Sequence, residues 1–405
     1  MWISTRHRLG RWIGPVRSPA RLARDPSKES QMSGLIALLV ASSISISGPC
    51  DSAPPEFSES IENIRSEAEL PALAVAAWRG EELVFLEATG TRAFGSEVPV
   101  TTDDRWHVGS CGKAMSATVL ERLVAEGVLT WSTTIGEVFD DVDGIDDGWR
   151  EVTLRHLITH RSGLSNDRKP VPAVALKIRG LKGTLPEQRR AFVEIVLDDP
   201  PAFTPGSRMA YSNYGYAVAS AMAERRAGIS WENLCRTRLF EPLGMTSPGF
   251  GAPGSTEVVD QPRGHLGEKP LAPTRFADNP LVIAAAGTMH LSLKDWGRFL
   301  AVHLGLRPGF LSESRVETLH DPGEVGTYAG GWVVTSRPWG GGEVLTHSGS
   351  NNRWFAVVWI APIRGWAFCA ATNSASEKAA GACDQAIGLM VQAFQAKQAE
   401  IEPGS

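Results

Sequence analysis

Apolar and polar residues form strand-like stretches near both ends of the chain. Residues 71–78 are an almost continuous apolar run, a polar turn covers 79–82, and residues 83–88 return as a second apolar stretch. This pattern predicts an antiparallel hairpin. Towards the other end, four more predicted strands are separated by glycine and proline turns, and an amphipathic helix follows, at residues 329–335, 342–347, 354–361, 366–373 and 377–395.

The middle of the chain has apolar residues at three- and four-residue steps, which predicts helices. The segments concerned are 153–160, 187–197, 214–227 and 231–239. We therefore predict an α+β protein, with one antiparallel sheet built from both ends of the chain and flanked by helices. In this scheme residues 65–109 and 284–398 form the sheet domain, and residues 110–283 form an inserted, mainly helical domain. The cleft between the two is the expected site.

The first 50 residues have the pattern of an export signal. Seven basic residues and two acidic ones precede an apolar run at 35–46, and a proline-containing polar stretch follows. The run is too short to span a bilayer comfortably. We expect a secreted or periplasmic protein, and Met32 is an alternative start. Cys50 would be the lipidated residue of a membrane-tethered lipoprotein, although Pro49 fits that cleavage pattern poorly. Residues 51–64 are predicted to be a linker and 399–405 a tail.

Composition narrows the function classes. The 405 residues carry a net charge of −5, and 42% of them are hydrophobic, which is typical of an ordinary globular protein. The chain has no excess of basic residues that would indicate a nucleic-acid partner. The five cysteines have no C-x-x-C spacing, which disfavours a zinc knuckle or a dense disulfide framework and leaves a single disulfide open.

A serine and a lysine at the start of a predicted helix form the strongest chemical pattern. Ser110 and Lys113 are the only Ser-x-x-Lys pair in the chain, and three-residue spacing places them on one helix face. A lysine can accept the serine proton only if its pKa falls from about 10.4. A fall of three pKa units, to near neutrality, corresponds to roughly 4 kcal/mol. A helix dipole supplies only about 0.3–1 kcal/mol, so burial of the lysine is required. The alternative is a helix-capping serine with a solvated lysine.

Two further segments carry candidate groups. Tyr211 and Asn213 follow a turn and begin a predicted helix; the phenol can relay a proton, and the amide can bind a substrate carbonyl. His347, Ser348, Gly349 and Ser350 end a predicted strand, where small residues allow a substrate backbone to lie along the edge. Taken separately, these segments are also consistent with a packed aromatic loop and a hairpin turn.

The three motifs, in this order, resemble the serine β-lactamase and penicillin-binding-protein superfamily, particularly class C β-lactamases and their esterase and DD-peptidase relatives. The phrases at 157–164, 203–206, 239–245, 286–289 and 331–332 are similar to that family's framework. The resemblance implies the β-lactamase/transpeptidase-like fold and an acyl-enzyme on Ser110, with Lys113 and Tyr211 as the coupled base. It also implies substrate positioning by Asn213, and an oxyanion hole formed by the N–H groups of Ser110 and Ser350.

One departure and three alternatives remain. β-Lactamases of this family usually have lysine where this chain has His347, so penicillin hydrolysis is in doubt. The substrate can be an ester, a peptide, including cell-wall peptide, or a β-lactam.

His156 and His160 have the spacing of a helical zinc site but lack its glutamate. No G-x-S-x-G elbow of an α/β-hydrolase occurs. A non-catalytic binder of cell-wall peptide or a partner protein is the other functional class. We expect neither a metal nor an organic cofactor.

Overall fold

The computed structural model describes residues 55–165, 171–324 and 326–401. The predicted export signal, the lipidation candidate Cys50 and most of the predicted tail lie outside these residues. Among the described residues, no helix has the length and apolar character needed to cross a bilayer.

The strands lie mainly at the two ends of the described chain. They are β1 (Ala72–Arg79), β2 (Glu82–Gly90), β3 (Arg105–His107), β4 (Gly249–Phe250), β5 (His265–Leu266), β6 (Lys269–Pro270), β7 (Met289–Ser292), β8 (Val333–Arg337), β9 (Gly342–Ser350), β10 (Phe355–Ala361) and β11 (Trp366–Thr372). Six of them form an antiparallel sheet in the order β2-β1-β11-β10-β9-β8. The two ends of the chain meet where β1 pairs with β11, so the predicted sheet is confirmed.

The helices flank this sheet and fill the middle of the chain. They are α1 (Pro55–Glu67), α2 (Gly112–Ala125), α3 (Ile135–Val138), α4 (Leu154–Ile158), α5 (Val171–Gly180), α6 (Leu185–Val196), α7 (Asn213–Ala227), α8 (Trp231–Cys235), α9 (Ala284–Gly287), α10 (Leu293–His303), α11 (Glu313–His320) and α12 (Ala379–Ile401). The mixed architecture agrees with the α+β prediction. Sheet and helices belong to one compact unit.

Both faces of the sheet are buried, which explains why β1 is a continuous apolar run. Leu73, Val75 and Ala77 point into a layer formed with α1 and α12. Their neighbours Ala72, Ala74 and Ala76 point into the larger core that contains α2 and α10. Because successive side chains of a strand point to opposite faces, a strand covered on both sides needs apolar residues at every position.

The predicted linker at 51–64 is wrong for the residues that the structure describes, because α1 begins at Pro55. Phe57, Ile61 and Ile64 recur at four- and three-residue steps and are buried on one face of this helix. Phe57 packs edge-on against Phe85 of β2, with ring centroids 4.7 Å apart. The helix is therefore part of the outer layer that covers the sheet.

A small second sheet supports the segment that carries Ser110. In it β7 pairs with β3 on one side and with β4 on the other. The chain leaves β3 at His107, forms a short 3₁₀ turn over Gly109–Cys111, and enters α2 at Gly112. Ser110 thus lies in this turn, just ahead of the helix at whose start we expected it.

Candidate active site

The 3₁₀ turn of Ser110 packs directly against the end of β9. The N–H of Val108 donates to the carbonyl of Met289 at 3.0 Å, which anchors the turn to β7. Gly109 has a φ of +51°, and a Cβ there would lie 2.5 Å from the nitrogen of Ser350. A Cβ on Gly349 would lie 2.1 Å from the carbonyl oxygen of Val108. Only glycine permits both close approaches, which bring the main-chain nitrogens of Ser110 and Ser350 to one place.

Two polar side chains converge on the hydroxyl of Ser110. Lys113 Nζ lies 3.0 Å from Ser110 Oγ, and the hydroxyl of Tyr211 lies 2.8 Å from the same oxygen. The structure therefore brings together three residues that the sequence analysis selected from segments about 100 positions apart. A serine hydroxyl within hydrogen-bond reach of a group that can accept its proton is an arrangement that allows nucleophilic catalysis.

Lys113 is fully buried and has three oxygen neighbours. Besides Ser110 Oγ, its Nζ contacts the side-chain oxygen of Asn213 at 2.7 Å and the carbonyl oxygen of Ala286. Burial lowers the pKa of Lys113 well below its usual value. A neutral amine has two N–H donors for Asn213 and Ala286, and its lone pair can then accept the proton of Ser110.

Tyr211 is held in place by a buried histidine. His160 lies against its ring, with centroids 4.2 Å apart, and accepts the N–H of Ser212 at 3.1 Å. Tyr211 is partly exposed at its edge, but desolvation by the groups around it raises its pKa, although the hydrogen bond with Ser110 opposes this shift. The protonated phenol is therefore the favoured form, so Lys113 fits the part of the base better than a tyrosinate does.

His347 is placed differently from our expectation that it contacts substrate. It is 6% exposed, and both ring nitrogens have partners: Nδ1 donates to the carbonyl of Ser348 at 2.6 Å, and Nε2 accepts the hydroxyl of Tyr328 at 3.0 Å. Burial is the main reason that the pKa of His347 falls to about 3. The ring is therefore neutral and has no free nitrogen for a substrate carboxylate. Ser348 and Ser350 are exposed, and Gly349 is buried.

The sequence analysis missed four neighbours of the site. These are His160, which supports Tyr211, the carbonyl of Ala286, and the side chains of Tyr216 and Tyr328. The chain has only four tyrosines, and the ring centroids of Tyr211 and Tyr216 lie 4.9 and 5.5 Å from Lys113 Nζ. Tyr328 packs on His160, with centroids 4.3 Å apart. The scarcity of tyrosine was the signal that could have identified this cluster.

The alternative of a zinc site receives no support. The Nδ1 atoms of His156 and His160 accept the backbone N–H groups of Thr153 and Ser212. Within residues 55–165, 171–324 and 326–401, no group of three or more histidine, cysteine, aspartate or glutamate side chains could hold a metal ion. The four described cysteines, Cys111, Cys235, Cys369 and Cys383, are buried and unbridged.

Comparisons with known proteins show which family the chain resembles in sequence and fold. The family model "Beta-lactamase" matches residues 57–392. Penicillin-binding protein 4 of Amycolatopsis lactamdurans is 27% identical over 336 residues, which cover 78% of this chain and 84% of that protein. An unguisins hydrolase of Aspergillus campestris is 24% identical over 353 residues, 80% of this chain and 63% of that protein.

The fold is also found in a solved structure. The D-amino acid amidase of Ochrobactrum anthropi superposes with a TM-score of 0.67 at 22% sequence identity, covering 85% of this chain and 99% of the amidase. The family match spans nearly all of the described residues, including the three motifs around Ser110. The chain therefore belongs to the β-lactamase family of serine hydrolases.

Proposed function

We propose that the protein hydrolyses an ester or amide through an acyl-enzyme on Ser110. The observation that carries this proposal is the placement of Ser110 Oγ between Lys113 Nζ, at 3.0 Å, and the hydroxyl of Tyr211, at 2.8 Å. Neutral Lys113 takes the serine proton while Oγ attacks the substrate carbonyl. The N–H groups of Ser110 and Ser350 stabilise the resulting oxyanion.

Collapse of this intermediate breaks the bond to the leaving group and forms the acyl-enzyme. Tyr211, whose hydroxyl also lies within hydrogen-bond reach of Oγ, delivers a proton to the departing alcohol or amine. The proton taken by Lys113 restores the phenol. Water then attacks the acyl carbonyl, loses its proton to the same pair of groups, and releases the acid and free Ser110. Asn213 positions the substrate and also holds Lys113 at 2.7 Å.

The substrate that fits this site lacks a carboxylate beside the scissile bond. The neutral and fully bonded ring of His347 supplies no cation at the position where β-lactamases of the family usually have lysine. The curated relatives bear names that refer to penicillin binding and to hydrolysis of unguisins. We therefore propose esters and amides, including peptides, as preferred substrates over β-lactams.

A fluorophosphonate probe tests the proposal. It is expected to label the wild type and the control Ser336→Ala, which removes an exposed hydroxyl on β8, and to leave Ser110→Ala unlabelled. Hydrolysis of p-nitrophenyl acetate and hexanoate should exceed that of nitrocefin. Labelling of Ser110→Ala equal to that of the wild type would disprove the nucleophile. A wild type that neither hydrolyses these esters nor takes the label would support the binding-protein alternative.

The same label can follow the protein in fractionated cells. We propose that the enzyme acts outside the cytoplasm, because the first 50 residues have the basic and apolar pattern of an export signal. Labelled enzyme is expected in the extracytoplasmic or membrane fraction, and recovery in the cytoplasm alone would contradict this proposal.

A further inference from the structure

A buried cluster of three side chains lies beside the Ser110 turn and has no part in the proton transfers above. His107 ends β3, Asp278 lies on the segment before α9, and Asn351 follows β9. Their exposed fractions are 1%, 7% and 7%. Burial of an aspartate is unfavourable unless several donors compensate its charge, so this carboxylate needs a physical explanation.

One oxygen of Asp278 is linked to the turn of Ser110. His107 Nε2 lies 2.9 Å from Asp278 Oδ2, and the N–H of Gly109 donates to His107 Nδ1 at 3.2 Å. Because Nδ1 accepts, the ring proton is on Nε2 and points at the carboxylate. Asp278 therefore fixes the tautomer that lets His107 hold Gly109, the residue before Ser110.

The other oxygen of Asp278 is linked to the strand end that carries Ser350. Asn351 Nδ2 donates to Asp278 Oδ1 at 2.7 Å. Asn351 Oδ1 in turn accepts the N–H groups of Arg353 and Trp354 at 3.1 and 3.2 Å. This bonding fixes the turn that follows Ser350.

The two segments that Asp278 links also contact each other directly. The ring of Trp354 stacks on the ring of His107, with centroids 5.2 Å apart and an interplanar angle of 25°. The network thus joins the turn of Ser110 to the turn after Ser350 through one buried carboxylate and one aromatic stack.

We propose that Asp278 is a positioning residue for the oxyanion hole: its two oxygens align the main-chain N–H donors of Ser110 and Ser350 through His107 and Asn351. This inference rests on the proposed function. Oxyanion stabilisation depends on donors that are already oriented before the charge develops. A carboxylate bonded to both sides of the hole provides that orientation, although it does not touch the substrate.

The variant Asp278→Asn disrupts the network with little change in shape. An amide has one acceptor oxygen, so its NH₂ group must face either His107 Nε2–H or the side-chain NH₂ of Asn351. His107 can avoid the clash only by moving its proton to Nδ1, which breaks the bond from Gly109. Complete removal of one oxyanion donor lowers kcat by about 10²–10³. Misalignment of a donor is expected to lower kcat at least about tenfold.

The experiment measures kcat and KM for p-nitrophenyl acetate together with the Ki of phenylboronic acid, whose tetrahedral adduct with Ser110 places an oxygen in the hole. For Asp278→Asn we expect kcat to fall at least about tenfold, KM to change less than about threefold, and Ki to rise with the fall in kcat. The control is Asp103→Asn, the same change at an exposed aspartate paired with Lys294. It should behave as the wild type.

A second pair of variants keeps the test decisive if Asp278→Asn does not fold. In His107→Gln the amide retains an acceptor and a donor with the spacing of the ring nitrogens, and kcat should stay within about threefold. His107→Leu removes both, and kcat should fall at least about tenfold.

Normal kcat in the folded Asp278→Asn and His107→Leu variants would overturn the positioning role. A reduced kcat with an unchanged Ki would do the same. In both cases the wild type would still hydrolyse the ester and take the fluorophosphonate label. A wild type that fails both of those assays would instead overturn the proposed function, and the positioning role with it.

Discussion

Lys113 shows how a common residue acquires unusual chemistry. The helix start contributes about 0.3–1 kcal/mol, far less than the roughly 4 kcal/mol that a three-unit shift in pKa requires. The structure supplies the rest by removing the side chain from water, under the rings of Tyr211 and Tyr216. Desolvation disfavours the charged ammonium and thus lowers the pKa. The base that we propose for the reaction is therefore created by packing.

The pH dependence of the reaction should report this shift. The proposed mechanism needs neutral Lys113, the form present above its pKa, and burial lowers that pKa from the usual value of about 10.4. We expect kcat/KM for p-nitrophenyl acetate to be at its plateau well below pH 10 and to fall on acidification through the pKa of Lys113. A wild-type rate that keeps rising up to pH 10 would contradict this assignment.

The substitution Lys113→Arg provides a stricter form of the same prediction. A guanidinium stays protonated at all accessible pH values, so it cannot accept the proton of Ser110. The rate should fall by about 10²–10⁴ across the pH range. The matched control is Lys294→Arg, which retains a cation next to the exposed Asp103 and should leave the rate unchanged.

At the scale of elements, the site depends on how closely β9 approaches the Ser110 turn. Gly349 leaves no room for a side chain on the face that meets Val108 and Ser110. His347, two residues earlier on the same strand face, is buried for the same reason, whereas Ser348 and Ser350 face outward. The strand thus presents its backbone, not a side chain, to the Ser110 turn.

A methyl group at Gly349 should therefore separate the two elements. The Cβ of Gly349→Ala would lie 2.1 Å from the carbonyl oxygen of Val108, so β9 or the turn must move. We expect about 1–3 kcal/mol of lost stability from overpacking and at least a tenfold loss of kcat/KM from misplaced oxyanion donors. Urea unfolding and ester hydrolysis measure the two effects.

The matched control is Gly388→Ala in α12, where an added Cβ meets nothing within 4 Å. Alanine is the better helix former, so stability should stay equal or rise by up to about 1 kcal/mol, with activity unchanged. Normal activity in Gly349→Ala would show that the close approach is not needed for catalysis.

At the scale of the whole molecule, the histidines favour a fold that is stable at neutral pH and weakened by acid. Burial lowers the pKa of His290 and His320 to about 4 and that of His347 to about 3. In the unfolded chain their pKa is about 6.5. Below that pH the unfolded state binds protons that the folded state does not, so the free energy of unfolding falls with decreasing pH.

We expect this loss to be visible between pH 7.5 and 5. At pH 5 each of these histidines should reduce the free energy of unfolding by about 2 kcal/mol. Urea unfolding at both pH values measures the total, and His320→Gln should make the dependence shallower by about one histidine's share. Equal stability of the wild type at pH 7.5 and 5 would contradict the burial-driven shifts.

The sequence alone predicted the strands of the main sheet, the helices α2, α4, α6, α7, α8 and α12, and the residues that meet at Ser110. These features depend on local periodicity, turn residues and motif spacing, all of which are written along the chain. Helix α1 was missed because polar residues surround Phe57 and Ile61, so its apolar face is short and weak in the sequence. That face becomes buried only because the sheet packs against it.

Only the tertiary structure decided the protonation of Lys113, the neutral and enclosed state of His347, and the link from His107 to Asp278, 171 positions away. The physical reason is that a pKa or a tautomer depends on the loss of water and on donors and acceptors brought from distant segments. Those neighbours exist only once the sheet and the helices have packed together.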